Sequence, residues 1–483
     1  MDYPSLLFTA GPSGHRIDPD VFEDVKLNLF FSQDAIRAME DVCPASDIPV
    51  RQEFLQAFLQ APDTLPRFRA MSDTVDQIWD LADALDAARC TEEHDFIFLN
   101  LAAQVLRFST LAAQAPAQSG FFWDRFAGAF RGFTDSEAFQ AASRRCADVL
   151  EQTAALRRSC WQVQGDHLSL RQETGANLTD QLLDCARELG FPDVEGARAT
   201  SIRLSPALLS AQAKLNPEAF EAMNAFAATF QNLYDPRILD YRSEMNFYLE
   251  AAALVQRLQN ADIPTVWPAV SHQRRLWIQG AYDISLLTKN EVTIIPNDID
   301  FSQDEPFWFL TGANGGGKTT YLRCVGINIV LFLSGCPVAG SAAQVYPVSS
   351  VFTHFPRDER SDSEGRLSEE QARVDDILAR HGGDALVLLN ETYSAANAEQ
   401  APKLTLDLAT QLAQSGSFGL FITHQHALAD GAIPFLSVVI DEDSANRRTF
   451  KIERRRGAAR SFAEDILKRY NMDRDSLRAR FGL

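Results

Sequence analysis

The sequence predicts two structural classes in succession, α then α/β: a helical N-terminal part followed by an α/β domain. First, apolar residues recur at helical spacing through most of the N-terminal 290 or so residues. Second, from residues 263–268 onward, short β-type segments alternate with helical ones, which is typical of an α/β sheet domain. Third, a glycine-rich loop lies between an apolar strand and an apolar helix. We therefore predict a helical domain over residues 1–268 and an α/β domain over residues 269–483.

Two amphipathic stripes support the helical prediction, because their apolar residues recur every three or four positions. The first stripe is Phe68, Met71, Val75, Ile78, Leu81 and Leu85. The second stripe follows Asp235 and Pro236 and consists of Ile238, Tyr241, Met245, Tyr248, Ala252 and Val255. A helix start is predicted at Asn216, with Pro217 in the first position and Glu218 in the first turn. Such stripes indicate core packing, and we assign them no chemistry.

The α/β domain is predicted from short apolar segments that alternate with helical ones. These segments cover residues 292–295, 307–311, 386–389, 420–423, 437–440 and 448–453. Between them lie stretches of helical spacing, so parallel strands joined by helices are expected.

The charge is strongly divided along the chain. Residues 1–300 hold 25 Lys and Arg against 42 Asp and Glu, a net of −17, whereas the whole chain has a net charge of −20. A DNA-gripping surface needs cations that neutralise phosphates, so this part argues against extensive DNA contact. The seven cysteines show no C-x-x-C pair. With no basic segment before a signal-like stretch and no apolar run of about 18 residues, we expect a cytoplasmic protein without a membrane span.

The strongest motif is the glycine-rich loop at residues 312–319, which matches G-x-x-x-x-G-K-[ST]. Glycines let backbone N–H groups turn toward phosphate oxygens, and the following helix adds its dipole. Lys318 is expected to reach the β- and γ-phosphates, and the Thr319 hydroxyl to bind Mg²⁺. The sequence therefore predicts a nucleoside triphosphate site. Its loop residues are Gly312, Ala313, Asn314, Gly315, Gly316, Gly317, Lys318, Thr319 and Thr320.

The second half of the predicted site follows the apolar strand at residues 385–389. Asn390 and Glu391 stand where P-loop ATPases place their Walker B residues. Glu391 is expected to orient or deprotonate the attacking water. Asn390 occupies the position of the usual Asp, so it offers Mg²⁺ an oxygen without a charge. The alternative is a buried strand that ends in two incidental polar residues.

A histidine ends the next apolar strand, after Thr423. His424 is expected to contact the γ-phosphate and so act in catalysis with Glu391 and Lys318, although a capping or core histidine is the alternative. A metal pair of His424 with His426 is also conceivable, but no third ligand cluster lies nearby in the sequence.

These motifs closely resemble the MutS-type ATPases of DNA mismatch repair and their relatives. Residues 311–323 resemble that family's phosphate loop, and residues 295–298 and 280–283 its segments near the nucleotide. Residues 335–339, 351–353, 456–457 and 461–463 resemble later parts of the same ATPase domain. The pattern of apolar residues at helical spacing in residues 238–268 is similar to that of the family's helical core and lever. The resemblance spans most of the chain, but its specific motifs begin only near residue 280.

The resemblance implies an ABC-like ATPase fold after a helical core and lever, with ATP and Mg²⁺ bound between the subunits of a homodimer. It places Tyr282 and Asn297 near the nucleotide. A signature segment acting across the dimer is expected within residues 358–376, where the family's Ser-Thr-Phe is missing and Ser363 or Ser368 would substitute. Alternatively, Ser368 simply caps the next helix, since Ser368 and Gln371 form a capping-box pattern.

The resemblance also implies a function in DNA repair or recombination, but two features leave alternatives open. The chain has no room for both the mismatch-reading and connector domains, and its N-terminal region lacks the Phe-x-Glu motif used to probe a mismatch. A nucleotide-gated scaffold for protein partners is therefore one alternative, and a slow pseudo-ATPase, suggested by Asn390, is another. The basic residues near the C-terminus could bind nucleic acid, although a solvated face or a dimer contact is the favoured interpretation.

Overall fold

The computed structural model describes residues 3–61, 64–114, 120–154, 156, 159–164, 167–172, 205–289, 293–356, 363–393, 396–397, 399–425, 428, 433–441 and 447–455. The chain divides into two compact units. The first comprises Met1–Pro4, Pro66–Ala117 and Asp124–Arg242, and the second comprises Ser5–Leu65, Gln118–Trp123 and Ser243–Leu483. The second unit therefore joins residues near the start of the chain to its C-terminal half.

The first unit is built mainly from helices. They are α4 (Thr64–Asp86), α5 (Thr91–Ala113), α6 (Phe121–Thr134), α7 (Glu137–Thr153), α8 (Pro206–Leu215) and α9 (Pro217–Phe230). The helices α5, α7 and α9 pack against one another around Leu99, Val149 and Met223, which are fully buried. An antiparallel hairpin, β1 (Ser159–Gln164) and β2 (His167–Gln172), also belongs to this unit.

Helix α5 is long and apolar enough to cross a membrane, and it is one such helix among the described residues. This helix was not singled out from the sequence, because polar residues and Arg107 interrupt its apolar residues. More than half of its apolar window is buried within the protein, and Phe98, Leu99 and Leu106 lie in the core of the first unit. Its apolar composition is accounted for by this helix packing.

The second unit begins with short helices that contact its C-terminal half. They are α1 (Pro19–Asp24), a 3-10 helix (Leu27–Leu29), α2 (Gln33–Glu40) and α3 (Ile48–Gln60). Arg51 on α3 is almost completely buried, and its guanidinium donates to the carbonyls of Leu7 and Ser334. Asp24 at the end of α1 accepts a hydrogen bond from Thr353 Oγ1 at 2.6 Å. These contacts attach the N-terminal segment to the α/β part of the same unit.

The rest of the second unit contains three sheets and the remaining helices. A six-stranded sheet has the order β10-β11-β12-β7-β13-β14, a four-stranded sheet has the order β4-β9-β5-β6, and β3 pairs with β8. The strands are β3 (Thr265–Val266), β4 (Ala269–Val270), β5 (Arg275–Ala281), β6 (Asn297–Ser302), β7 (Phe307–Thr311), β8 (Val338–Ala339), β9 (Ala342–Val345), β10 (Ser350–His354), β11 (Ala385–Asn390), β12 (Phe418–Ile422), β13 (Phe435–Asp441) and β14 (Arg447–Arg455). The helices are α10 (Asp240–Asn260), which begins at the unit boundary, a 3-10 helix (Ile284–Thr288), α11 (Lys318–Leu333), α12 (Ser363–Arg380) and α13 (Ala401–Gln414).

The six-stranded sheet positions the predicted site. Its first five strands in spatial order run parallel, and only β14 is antiparallel. Every residue of β7, β11 and β12 is buried, as expected for a parallel sheet covered on both faces. In the register, Asn390 pairs with Ile422 and Ile422 pairs with Leu310. The carboxyl ends of β7, β11 and β12 therefore meet at one edge of the sheet.

Most predicted elements are confirmed, with three corrections. The first amphipathic stripe lies on α4, and the second lies on α10 except for Ile238, which is in the preceding 3-10 helix (Pro236–Leu239). Helix α9 starts at Pro217, although Asn216 makes no side-chain capping bond there. The β1–β2 hairpin interrupts the region predicted to be helical. Residues 293–295 are not a strand, because β6 begins at Asn297. Ser368 lies inside α12 rather than at its start, so the capping interpretation of Ser368 is wrong.

Candidate functional site

The candidate site lies where the carboxyl ends of three adjacent strands meet. The glycine-rich loop follows β7, Asn390 ends β11 with Glu391 after it, and His424 lies two residues after β12. Because β12 lies between β7 and β11, these three segments of sequence converge although they are far apart in the chain. In open α/β sheets, ligands bind in such a crevice at the carboxyl ends of the strands.

The loop has the backbone conformation that its glycines permit. Gly312 has φ of 135°, and a Cβ at this position would lie 2.9 Å from the Val438 side chain. Gly317 has φ of 97° and is the N-cap residue of α11. Both conformations are unfavourable for residues that have a Cβ atom. The sequence signal for a phosphate loop is thus matched by a strand, a tight loop and a helix N-terminus in the required order.

Lys318 is the first residue of α11 and is 6% exposed. Its Nζ donates to Gly312 O at 2.9 Å, Ala313 O at 3.2 Å and Asn314 Oδ1 at 3.3 Å. The ammonium group is therefore held inside the loop by acceptors of the loop itself. These acceptors offset the cost of burying the charge.

Glu391 and His424 form a polar contact between two strand ends. His424 Nε2 lies 3.0 Å from Glu391 Oε1, and both side chains are partly exposed. The hydrogen bond with His424, together with the charges of His424 and Lys318, lowers the pKa of Glu391 below its ordinary value. Glu391 also has φ of 55°, in the left-handed region that non-glycine residues rarely adopt. Backbone strain of this kind is concentrated at functional sites.

Asn390 has an unused acceptor beside this pair. The residue is 9% exposed, and its Oδ1 atom has no hydrogen-bond partner among the described residues. A buried oxygen without a partner is costly unless a ligand satisfies it. Thr319, half-buried in the first turn of α11, carries a hydroxyl and lines the same cavity as Glu391. This donor set of neutral oxygens fits Mg²⁺, which favours oxygen ligands and retains several waters.

A cavity of about 460 Å³ extends from the loop. Small-molecule sites typically measure about 300–1,000 Å³. Its lining residues are Ala281, Asp283, Leu286, Thr293, Ile294, Ile295, Asn297, Asn314, Gly315, Gly317, Lys318, Thr319, Thr320, Tyr321, Cys324, Glu391 and Phe450. The cavity therefore brings together much of the predicted loop, Glu391 and a largely apolar remainder. Searched over the described part of the chain, no cluster of three or more His, Cys, Asp or Glu side chains could hold a metal ion.

Several predicted residues lie elsewhere or do other work. Asn297 lines the cavity, but its side chain bridges strands: Nδ2 donates to Phe450 O, and Oδ1 accepts from Ile452 N. Tyr282 is not among the described lining residues, although both of its neighbours in sequence are. Of the loop, Gly312, Ala313 and Gly316 are also outside the described lining.

The predicted signature segment is helical from residue 363 onward. Ser368 is an exposed residue within α12, and Ser363 is the first residue of this helix. Residues 357–362 and the side chain of Ser363 lie outside the described part of the chain, as do His426 and the basic residues from 456 onward. The paired acids Glu369–Glu370 and Asp375–Asp376 lie on α12.

Among the lining residues that the sequence analysis did not predict as site residues, Phe450 and Asp283 stand out. Phe450 is a large exposed apolar side chain on β14 with φ of 57°. No sequence motif marks a single phenylalanine as part of a site, so its position could not be predicted. Asp283 is 3% exposed and caps the 3-10 helix at Ile284–Thr288. The sequence showed its position near the predicted site but not its burial.

The strand, loop, helix and paired strand ends define a P-loop nucleotide-binding α/β domain. Residues 308–453 match the family model of MutS domain V. The DNA mismatch repair protein MutS of Orientia tsutsugamushi (strain Boryong) is 28% identical over 180 residues, which are 36% of this chain and 20% of that protein. The MutS of Natronomonas pharaonis is 30% identical over 159 residues (32% and 18%), and that of Chlorobium chlorochromatii is 27% identical over 194 (38% and 22%).

Residues 308–453 are therefore similar to domain V of the MutS family, a P-loop ATPase domain. The matched segment covers only about a fifth of the length of each of these relatives.

Proposed function

We propose that this protein binds ATP with Mg²⁺ and hydrolyses it. The observation that carries the proposal is the convergence of Lys318, Glu391 and His424 at the carboxyl ends of three adjacent strands. Phosphoryl transfer needs positioning and charge stabilisation more than covalent chemistry, and this convergence supplies both.

Each residue has a role that follows from its position. The Lys318 ammonium group exchanges loop carbonyls for the β- and γ-phosphate oxygens when nucleotide binds, and the loop amides hold the remaining oxygens. Mg²⁺ neutralises phosphate charge when it is bound, and Thr319 and Asn390 are the residues that would hold it and its waters. Glu391, ionised at neutral pH, orients the attacking water and accepts its proton.

His424 is proposed to report the γ-phosphate. Its imidazole contacts Glu391 in this structure, so the same nitrogen can exchange the carboxylate for a phosphate oxygen. That exchange frees Glu391 for the water only when a triphosphate is present. The pair thus couples recognition of the nucleotide to activation of the nucleophile.

The wider function is proposed by likeness to the family. In this proposal two copies of the chain enclose two ATP molecules, with residues near Ser363 or Ser368 reaching the partner's nucleotide. Residues 1–268 form a helical core and lever and residues 269–483 an ABC-like ATPase domain, and nucleotide state moves the lever. The names of the relatives, DNA mismatch repair proteins, support DNA repair or recombination as the setting, and a cytoplasmic location follows from it.

A second candidate function is a nucleotide-gated scaffold for protein partners that does not bind DNA. The net charge of −17 in residues 1–300 (25 basic, 42 acidic) favours it, because DNA binding draws most of its affinity from cations that neutralise phosphates. A slow pseudo-ATPase is a variant of either function, since Asn390 provides no charge to the Mg²⁺ site.

The test is phosphate release from ATP by the purified chain, with and without duplex or branched DNA, beside Lys318→Ala. If wild type releases phosphate faster than Lys318→Ala, the ATPase proposal is supported. If DNA at low salt increases the rate of phosphate release, the repair function is supported. Turnover that DNA leaves unchanged, with no DNA binding at low salt, supports the scaffold. If wild type and Lys318→Ala bind ATP equally weakly, the nucleotide site itself is refuted.

A further inference from the structure

The cavity has a second half that the phosphate-binding residues do not explain. Beyond the loop, its wall is formed largely by apolar residues of the 281–295 segment, by Tyr321 and Cys324 on α11, and by Phe450. Cys324 is six residues beyond Lys318, which is about 9 Å along a helix axis. This part of the wall is therefore at a distance from the phosphate loop that suits the nucleoside rather than the phosphates.

One acidic side chain stands out in this second half. Asp283 lines the cavity, and only 3% of its surface is exposed. Its Oδ1 accepts a hydrogen bond from Ser285 N at 2.9 Å. Its Oδ2 has no hydrogen-bond partner among the described residues. A buried carboxylate oxygen without a partner carries the desolvation cost of an unmade hydrogen bond.

The surroundings of Asp283 do not supply the missing partner. Burial raises the pKa of its carboxyl group, and this effect exceeds the opposing contributions of the hydrogen bonds with Ser285 and the charges of Arg323 and Lys289. The raised pKa means that the protein alone leaves the carboxylate poorly solvated.

Helix capping explains one oxygen of Asp283 but not the other. Asp283 is the N-cap of the 3-10 helix Ile284–Thr288, and an N-cap needs a single acceptor. Serine or asparagine would cap the helix equally well without burying a second charged oxygen. Asp283 lines the cavity, and its buried Oδ2, which has no partner among the described residues, therefore requires a further explanation.

We propose that Asp283 Oδ2 accepts a hydrogen bond from an amino group on the base of the bound nucleoside triphosphate. This inference rests on the proposed function and makes Asp283 a specificity-determining residue of that site. Adenine presents a 6-amino group and guanine a 2-amino group, so the shared chemistry is an amino-bearing purine. A purine without an amino group would leave the buried oxygen unpaired and should bind more weakly.

The test compares the affinities of ATP, GTP and the triphosphate of purine riboside, which lacks any amino group. Wild type should bind its preferred amino-bearing purine about tenfold or more tightly than purine riboside triphosphate, the ratio expected for one unpaired buried acceptor. Asp283→Ser keeps the cap and removes Oδ2, so this ratio should fall to near one. In Asp283→Asn the cap holds the amide oxygen, so the NH₂ group replaces Oδ2 and the preference for ATP over purine riboside triphosphate should be lost.

Asp304→Asn is the matched control, because it removes one exposed carboxylate that is not among the described lining residues of the cavity. Its discrimination ratio should equal that of wild type. If wild type prefers ATP over purine riboside triphosphate more strongly than it prefers GTP, the 6-amino group of adenine is the donor to Asp283. If the preference for GTP is the stronger one, the 2-amino group of guanine is the donor.

The inference is overturned if Asp283→Ser and Asp283→Asn retain the wild-type ratio while still binding nucleotide, or if wild type does not discriminate. Binding that Lys318→Ala abolishes for all three nucleotides, together with an unchanged ratio in the Asp283 variants, refutes the role of Asp283 and leaves the proposed function intact. Absence of binding of any triphosphate to wild type refutes the proposed function itself.

Discussion

His424 Nε2 and Glu391 Oε1 lie 3.0 Å apart across the ends of two adjacent parallel strands. The two residues are 33 positions apart in the sequence, so the contact forms only when the two strands pair. The contact holds the carboxylate beside the loop that contains Lys318 and stabilises its charged form. The lowered pKa keeps Glu391 ionised before any ligand binds, as its proposed role as a base requires.

Replacing His424 by Ala should raise the pKa of Glu391 toward its ordinary value, because the hydrogen bond that chiefly lowers it is lost. The carboxyl carbon shift of Glu391, followed between roughly pH 3 and 6, measures this change. The carboxylate stays ionised at neutral pH in both proteins, so a fall in ATP turnover there reports lost positioning rather than lost charge. His272→Ala, at an exposed histidine, is the control. An unchanged Glu391 titration would contradict the contact.

Replacing Glu391 by Gln should reduce phosphate release by about 10²-fold or more and leave ATP binding within a few-fold of wild type. The amide keeps the size of the side chain but cannot accept the proton of the attacking water. Single-turnover phosphate release and equilibrium binding separate the two effects. Glu399→Gln, at an exposed glutamate, should change neither quantity. Wild-type turnover in Glu391→Gln would remove Glu391 from the mechanism.

Replacing Asn390 by Asp should lower the Mg²⁺ concentration needed for half-maximal ATP turnover. The new carboxylate adds a charge at a buried oxygen that has no partner among the described residues. Titration of turnover with Mg²⁺ at fixed ATP measures this shift, and Asn100→Asp, on α5, controls for added charge. If the midpoint stays the same, Asn390 does not support the metal.

Replacing Gly419 by Ala should destabilise the second unit by about 1–3 kcal/mol through overpacking. Gly419 on β12 pairs with Phe307 on β7, and a Cβ there would lie 2.0 Å from the phenylalanine ring. Gly128→Ala is the matched control, because it lies on α6 with no atom within 4 Å of the added Cβ. That variant should be neutral or more stable, by up to about 1 kcal/mol. Denaturant unfolding compares the two, and equal stability would exclude the predicted clash.

The sequence was sufficient for the centre of the α/β sheet. The strands β7, β11 and β12 are continuous apolar segments, as fully buried parallel strands require, so their positions follow from composition. The loop between Gly312 and Thr319 follows from its motif. By contrast, the apolar segment at residues 293–295 resembled a strand, but Ile294 and Ile295 line the cavity instead. Burial beside a ligand cavity and burial within a sheet leave the same apolar pattern.

Long-range packing was beyond the reach of local patterns. The sequence predicted helices α1 to α3 as part of the helical domain. They belong instead to the compact unit that contains the glycine-rich loop. Asp24 and Arg51 show why: their partners, Thr353 and Ser334, are 329 and 283 positions away. Polar contacts at such separations have no periodicity. The burial of Asp283 is a similar case, because a capping aspartate looks alike in sequence whether exposed or enclosed.

The buried guanidinium of Arg51 also has a consequence for how the protein is made. Its acceptor Ser334 is synthesised 283 residues after Arg51, so Arg51 stays without this partner while the intervening chain is made. Contacts this distant in sequence slow folding and leave apolar surface uncovered in the meantime. The unit that contains the glycine-rich loop therefore closes around α3 only after Ser334 has been synthesised.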